Sequence, residues 1–224
     1  MERSADWTEI LGGIVAGCEQ AEADLGISSL LLPDVSPHLG ADAAHRALDV
    51  VLAHLHPRVV GIGMGGPADN WPAEDFQSAF TRARAAGLHT GSHASEHGPA
   101  WKVRHAIEEF GAERIQHGIG AMQDPAVVAM LIDHGIACDV CPGSNVALAA
   151  VPSLRAHPLS QMLEAGITVT LGSDDPSLFS TDLLTEYEHA WNLAGLDEES
   201  LAVLAENSLV ESFANRSQVE AWLA

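Results

Sequence analysis

The chain is poor in positive charge. It carries 10 lysines and arginines against 31 aspartates and glutamates, which gives a formal net charge of −21. Such an excess of carboxylates repels the phosphates of nucleic acids and of anionic membranes. We therefore expect neither nucleic acids nor membranes as partners. A neutral or cationic small molecule is the expected partner. Because 47% of the residues are hydrophobic, the chain can still bury a substantial core.

Long apolar runs are also missing, so no segment is predicted to span a bilayer. The stretch from Val15 to Cys18 imitates a lipoprotein cleavage site. An export signal carries positive charge ahead of its apolar part, whereas Asp6 and Glu9 precede this stretch. Residues 7–25 are better interpreted as an amphipathic helix that ends at Gly26. We therefore expect a soluble protein without an export signal.

Cysteine is scarce, with residues at positions 18, 138 and 141 only. An odd count cannot build a disulfide framework and favours a reducing compartment, so the expected location is the cytoplasm. Cys138 and Cys141 form a CxxC pattern inside an apolar alternation that runs into a turn. Since no second pair completes a metal set, the pair is interpreted as a strand end and not as a zinc or redox motif.

Apolar strand-like runs alternate with helical patterns, which is typical of a parallel sheet with crossover helices. Gly87, Gly111, Gly135 and Gly166 each lie between a predicted helix and the next strand, as helix-terminating glycines do. No low-complexity linker interrupts the pattern, so one domain over residues 1–224 is expected. Strands are predicted at residues 28–32, 59–64, 88–93, 114–117, 136–140 and 167–171. Helices are predicted at residues 7–25, 42–54, 72–86, 100–110, 125–134 and 158–165, followed by a helical flank at 183–193, 198–206, 210–214 and 218–223.

Polar segments fall where four of these strands end. α/β barrels and doubly wound sheets both place their active sites at the carboxyl ends of the strands, so we expect a site there. The segments are residues 93–96, 114–118, 141–145 and 172–176.

Each of the candidate residues also has a plain structural interpretation. His93 and Glu96 could offer a metal ligand and a general acid, or lie on a solvated surface. His117 could act in catalysis or be a satisfied core histidine. Asp174 and Asp175 precede a proline, where one carboxylate could bind a metal or simply cap a helix. The combination on successive strand ends favours the functional interpretation.

In this order the segments resemble the adenosine deaminase family of zinc-dependent purine deaminases. The resemblance runs from about Glu9 to the end of the chain. It implies an α/β fold, a TIM (β/α) barrel with zinc at its carboxyl end. Further matching segments are residues 60–66, 76–87, 157–159, 165–166, 186–187 and 207–208.

The resemblance also implies roles for individual residues. His93 and Asp174 would bind Zn²⁺. Glu96 would give a proton to the purine ring. His117 would orient and help to deprotonate the attacking water, and Asp175 would hold that water from the other side and also contact the substrate. In addition, the backbone N–H of Gly66 would contact the purine. The expected reaction converts adenosine to inosine and ammonia; adenine or another adenine-containing metabolite is the alternative substrate.

The chain departs from the family pattern at the metal site. Family members begin with a strand bearing His-x-His, which supplies two further zinc ligands, and a second βα unit follows it. Neither is found here, so the expected fold is an incomplete barrel of about six of eight βα units plus C-terminal helices. His54 and His56 form an HxH, but they precede a predicted strand. We therefore expect them at the amino end of the barrel, away from the site. His97 is a possible substitute ligand by position, and Gly63 stands where an aspartate is common.

These departures leave alternatives open. An open barrel has two unpaired edges, so the chain is expected to be unstable alone, to form a homodimer, to be completed by another polypeptide, or to have its true start upstream of Met1. It could also be an inactive remnant or a module that binds purines or a partner. The cytidine-deaminase pattern, H-x-E with P-C-x-x-C, is not matched in either half.

Overall fold

Six parallel strands and eleven α-helices make up the described part of the computed structural model, which covers residues 6–66, 74–192 and 195–224. The strands are β1 (Asp34–Val35), β2 (Gly61–Met64), β3 (His89–Ala94), β4 (Arg114–His117), β5 (Ala137–Val140) and β6 (Val169–Leu171). The helices are α1 (Trp7–Leu25), α2 (Ala41–Ala53), α3 (Glu74–Ala85), α4 (Trp101–Glu108), α5 (Pro125–His134), α6 (Pro142–Ala147), α7 (Leu159–Glu164), α8 (Pro176–Phe179), α9 (Leu183–Asn192), α10 (Glu198–Val210) and α11 (Arg216–Leu223).

The strands pair in sequence order, β1 to β6, and every pairing is parallel. Within the described ranges β1 and β6 each pair on one side only, so the sheet is not closed. This confirms the expected α/β fold and the incomplete barrel of six βα units with helices after the last strand. Parallel pairing brings all the carboxyl ends of the strands to one rim of the sheet.

Local signals in the sequence explain several helix boundaries. Asp124 caps the start of α5 by accepting a hydrogen bond from the Ala126 N–H, and Gly135 ends it in the left-handed conformation. Asp6 and Gly26 do the same for α1. For α1 and α5 the predicted and observed bounds coincide.

The prediction for the first strand was wrong. The strand was expected at residues 28–32, but β1 is Asp34–Val35, and upstream of it Leu31 only bridges to Val59. Backbone N–H groups in and beside β2 donate hydrogen bonds to the carbonyls of Leu31, Pro33 and Val35. Proline has no N–H to donate in return, so the ladder is interrupted at Pro33.

The C-terminal helices also differ from the prediction. The α10 helix continues to Val210, and residues 211–214 form turns and bends instead of the helix predicted at 210–214. The short helices α6 and α8 were not predicted. Residues 72–73 and 193, at the ends of two predicted helices, lie outside the described residues.

Helices α9 and α10 pack on β6 at the end of the sheet. Cys138 N–H donates to the Thr168 carbonyl, so the Val169 carbonyl faces away from β5. Asn207 of α10 donates to that carbonyl at 2.9 Å. Part of the free side of β6 is thus hydrogen-bonded by a helix. None of the helices in the described ranges is long and apolar enough to cross a membrane.

Candidate active site

Three non-glycine residues at the carboxyl rim have left-handed backbone conformations. The φ angles are 51° at Ser95, 64° at His117 and 54° at Asp174. His117 is the last residue of β4, Ser95 follows β3 and Asp174 follows β6. Such conformations are uncommon outside glycine and cluster at functional sites. Here they turn the chain sharply where each strand ends.

His93 lies on β3 with one ring nitrogen already engaged. Its Nδ1 donates a hydrogen bond to the Met64 carbonyl at 2.9 Å. This bond places the proton on Nδ1 and leaves Nε2 as the nitrogen with a lone pair. A histidine ligand held by a backbone carbonyl in this way is a common arrangement at metal sites.

A carboxylate from β1 occupies the space beside His93. Asp34 Oδ2 lies 3.6 Å from His93 Nδ1. A Cβ added at Gly63 would come within 1.9 Å of Asp34 Oδ1, and one at Gly65 within 2.1 Å of Oδ2. Burial raises the pKa of Asp34, and the charge of His93 opposes that rise. In the resembling family an aspartate is common at the position of Gly63. Here the Asp34 carboxylate, from the neighbouring strand β1, occupies the space that a side chain at position 63 would fill.

His117 lies at the centre of the candidate site and is 2% exposed. Its Nε2 is 3.7 Å from Glu96 Oε2 and 3.9 Å from Asp174 Oδ2. The centroids of the His93 and His117 rings are 5.4 Å apart. Desolvation, followed by the charge of His93, lowers the pKa of His117 to about 4, so the ring is neutral at physiological pH.

Glu96 shows the opposite shift. Burial raises its pKa, while a hydrogen bond from Asn145 Nδ2 to Oε1, at 2.9 Å, works against the rise. The negative charge of the nearby Asp174 carboxylate raises the pKa of Glu96 further. A carboxyl group with a raised pKa next to a neutral imidazole can act as a proton donor.

Two residues that were noted only as parts of matching segments join this network. Asn145 is completely buried and contacts both Glu96 and His117, with Nδ2 3.1 Å from His117 Nδ1. His157 Nε2 is 3.1 Å from Asn145 Oδ1. Burial lowers the pKa of His157 to about 4. No spacing rule connects these positions, since 49 residues separate Glu96 from Asn145.

Cys141 was also missed as a site residue. His117, Cys141 and Asp174 each offer a ligand atom, and these atoms all lie within 4.8 Å of one another. Cys141 is buried, and both burial and the nearby Asp174 raise the pKa of its thiol. Cys138 is buried in β5 and is not one of these three residues.

Other expected residues lie at or near the same rim. Asp175 is the N-cap residue of α8, but its side chain makes no capping hydrogen bond there. Gly66 follows β2, with φ 102° and the side chains of Ser36 and His38 nearby. His97 is exposed and close enough for its charge to lower the pKa of Glu96.

The HxH pair lies at the opposite end of the sheet, as expected. His54 caps the C-terminus of α2. His56 accepts a hydrogen bond from the Arg58 N–H at 3.2 Å, in the turn before β2. A pocket at this amino end of the strands contains His56 together with Leu88 and His89, at the start of β3.

Comparison with known proteins agrees with the fold. The model of the family described as adenosine deaminase matches residues 2–223. An adenine deaminase of Sinorhizobium medicae is 37% identical over 214 residues, which cover 96% of this chain and 66% of that protein. The crystal structure of an adenine deaminase from Arthrobacter aurescens superposes with a TM-score of 0.94 at 34% identity, covering 99% of this chain and 67% of the other. An amidohydrolase from Burkholderia ambifaria, solved with bound Zn, gives a TM-score of 0.91 at 26% identity over 98% of this chain and 61% of the other.

The fold is that of an incomplete amidohydrolase-type barrel. The chain belongs to the adenosine deaminase family, which confirms the expected resemblance, and the curated relatives above are named deaminases. It spans between 61 and 66% of the length of the first three curated relatives it matches.

Proposed function

We propose that this chain provides the proton donor, the water-orienting groups and two zinc ligands of a deaminase that acts on a 6-aminopurine. The reaction replaces the amino group at C6 with oxygen from water and releases ammonia. The position of the His117 Nε2, within 4 Å of both Glu96 and Asp174 at the carboxyl rim, is the observation that supports this function best.

The residues present fit a zinc ion in part. His93 Nε2 and the Asp174 carboxylate are ligands that zinc accepts, and the Met64 carbonyl holds the His93 ring in the required tautomer. A catalytic zinc usually has three protein ligands, and His93 and Asp174 are two. Zinc, when bound, supplies the charge that brings the pKa of a coordinated water towards neutrality.

The chain's own groups account for the proton transfers. Burial raises the pKa of Glu96, which suits this carboxyl to deliver a proton to N1 of the purine. Protonation makes C6 more electrophilic. His117 and Asp175 orient the water for attack at C6, and the Gly66 N–H donates a hydrogen bond to the ring. Burial of His117 keeps competing water away from these groups.

Two substrates compete within this proposal. The relatives from Sinorhizobium medicae and Arthrobacter aurescens are named adenine deaminases, which favours free adenine. The matching segments alone suggested adenosine. Because both present the same 6-amino group, the groups at the rim do not discriminate between them, and the assay must offer each.

A second candidate function is binding of purines or of a partner chain without turnover. The small number of zinc ligands favours this function. The one His-x-His of the sequence, at positions 54 and 56, lies at the amino end of the strands, so it does not add ligands to His93 and Asp174. A zinc site with two protein ligands is expected to be weak.

The first experiment measures zinc by elemental analysis on the purified, monodisperse chain, and ammonia release from adenine and adenosine. The deaminase proposal predicts about one zinc per chain, the stoichiometry of a mononuclear site, and turnover of one purine. Asp174→Ala should lose both zinc and turnover. A matched variant at the other end of the sheet, with His54 and His56 both changed to Asn, should retain both. Purine binding without zinc or turnover would favour the second function instead.

A further inference from the structure

The side-chain amide of Asn145 is fully buried and meets three ionisable side chains. Nδ2 lies 2.9 Å from Glu96 Oε1 and 3.1 Å from His117 Nδ1, and Oδ1 lies 3.1 Å from His157 Nε2. Every polar atom of the amide is therefore engaged. None of the three partners is close to Asn145 in the sequence.

A backbone hydrogen bond fixes the direction of this network. The Leu159 N–H donates to His157 Nδ1 at 3.1 Å, so the neutral His157 ring carries its proton on Nε2. Burial keeps that ring neutral, since the pKa of His157 is lowered to about 4. The Nε2 proton needs an acceptor, so Asn145 must present Oδ1 to His157 and its NH₂ group to Glu96 and His117.

The NH₂ group in turn sets both of its neighbours. His117 Nδ1 accepts from Asn145, so the neutral His117 ring carries its proton on Nε2, the nitrogen that faces Glu96 and Asp174. Glu96 Oε1 also accepts from Asn145. The other oxygen of this carboxyl, Oε2, lies 3.7 Å from His117 Nε2.

The backbone around Asn145 is held in place on both sides. Its N–H donates to the Cys141 carbonyl at 3.0 Å, and its own carbonyl accepts from the N–H groups of Ala150 and Val151. The buried Glu186 accepts from the Gly143 N–H at 2.8 Å, which fixes the turn that starts α6. The amide is thus presented from a rigid segment.

We propose that His157 and Asn145 are positioning residues that form a one-way hydrogen-bond relay from the Leu159 backbone to the site. The relay selects the Nε2–H tautomer of His117 and holds the Glu96 carboxyl by its Oε1, so that Oε2 faces His117. His117 then offers the site an N–H donor and holds the attacking water by donation. The catalytic consequence rests on the proposed deaminase function, whereas the tautomers do not.

The test is nitrogen NMR of the chain labelled with ¹⁵N-histidine, at mildly alkaline pH. Protonated and lone-pair ring nitrogens have well-separated chemical shifts, so each tautomer is read directly. We expect Nε2–H for both His157 and His117. If the unsubstituted chain shows Nδ1–H at His117, the relay is overturned, whatever the variants do.

Remote substitution gives the second readout. His157→Leu removes the donor that orients Asn145, so the amide can reverse and His117 should shift towards Nδ1–H. His157→Gln places an NH₂ group near the former Nε2 and should restore the Nε2–H tautomer of His117. An unchanged His117 tautomer in a folded His157→Leu chain contradicts the relay.

Asn145→Asp keeps the shape of the side chain but loses both donated hydrogen bonds. It should also abolish the Nε2–H preference of His117. Where the chain deaminates a purine, His157→Leu should lower kcat roughly 10- to 100-fold with KM nearly unchanged, as misorientation of reacting groups does. His157→Gln should recover most of it. If NMR shows the predicted tautomers but the chain does not deaminate a purine, the relay is supported and the deaminase proposal is contradicted.

Discussion

Glu96 and His117 lie within 4 Å of each other, and burial shifts their pKa values in opposite directions. Desolvation disfavours a charge on either group, so the pKa of the carboxyl is raised and that of the imidazole is lowered. The pair therefore combines a carboxyl that holds a proton more readily than an exposed one with a ring that is uncharged at neutral pH. Both shifts follow from burial, without a strong ion pair.

Glu96→Gln keeps the size of the side chain and can still accept a hydrogen bond from Asn145, but it has no acidic proton. We expect turnover to fall by roughly 10²–10⁴-fold or more, the usual contribution of a general acid. Zinc content should be unchanged, because Glu96 is not among the proposed ligands. Ammonia release and elemental analysis on the same preparation measure both. An active Glu96→Gln chain would contradict the assignment of the acid.

His157 makes stability depend on pH. Its pKa is lowered from 6.5 to about 4 in the folded chain by burial. Between these values the unfolded chain binds a proton that the folded chain does not, so the stabilisation present above pH 6.5 is lost as the pH falls towards 4. The loss from this residue is about 3 kcal/mol in the free energy of unfolding, an order-of-magnitude figure.

Urea unfolding at a series of pH values checks this expectation. His157→Gln has no ionisable ring, so its free energy of unfolding should fall less steeply between pH 6.5 and 4 than that of the unsubstituted chain. Parallel curves for the two chains would show that His157 is not held neutral in the fold.

At the scale of elements, the turn between β5 and α6 depends on a glycine. A Cβ at Gly143 would lie 2.3 Å from Oε1 of the buried Glu186, which also accepts the Gly143 N–H. We expect Gly143→Ala to destabilise the fold by about 1–3 kcal/mol through overpacking. Because α6 carries Asn145, the substitution should also reduce turnover.

Gly17→Ala is the matched control in thermal and urea unfolding. Gly17 lies on the exposed face of α1, and a Cβ there meets nothing within 4 Å. Alanine is the better helix former by roughly 1 kcal/mol, so this variant should be as stable as the original or more so. A Gly143→Ala chain as stable as Gly17→Ala would show that Glu186 moves aside without cost.

Local sequence signals predicted elements well where a cap marks each end. The α5 helix is an example, because Asp124 and Gly135 define its bounds. The strand ends at or near His93, His117 and Asp174 were also predicted, since the parallel order of the chain brings them to one rim. Pro33 shows the limit at this scale: it interrupts the hydrogen-bond ladder of β1, which a count of apolar residues does not detect.

Contacts between side chains from distant elements could not be predicted. The proximity of Asn145 to Glu96, of Cys141 to Asp174, and of Asp34 to the space above Gly63 depends on the curvature and register of the sheet. No local periodicity encodes these distances. The residue types were visible in the sequence, but their partners were not.

For the whole molecule, charge is the property that sets the response to salt. A net charge of −21 on 224 residues makes the folded state repel itself. Added salt screens this repulsion over about 10 Å at 0.1 M. We expect the urea midpoint of unfolding to rise when NaCl is increased from about 0.01 M to about 0.5 M, across the range in which screening becomes strong.

KCl is the control for this salt response, since screening does not distinguish the two cations. A rise with NaCl alone would indicate binding of a specific ion, and a falling midpoint would show that attractive ion pairs, such as Arg114 with Asp139, outweigh the general repulsion.

The expected homodimer or completing polypeptide stays a prediction, which light scattering over a concentration series can check.

The left-handed conformations of Ser95, His117 and Asp174 bear on how this protein would respond to selection. Glycine adopts this conformation freely, whereas other residues lose about 1–2 kcal/mol in it. Exchanging the exposed Asp174 for glycine would relieve that strain and at the same time remove a proposed metal ligand from the site. A laboratory population selected for heat resistance alone could therefore gain stability at this position while losing the ligand.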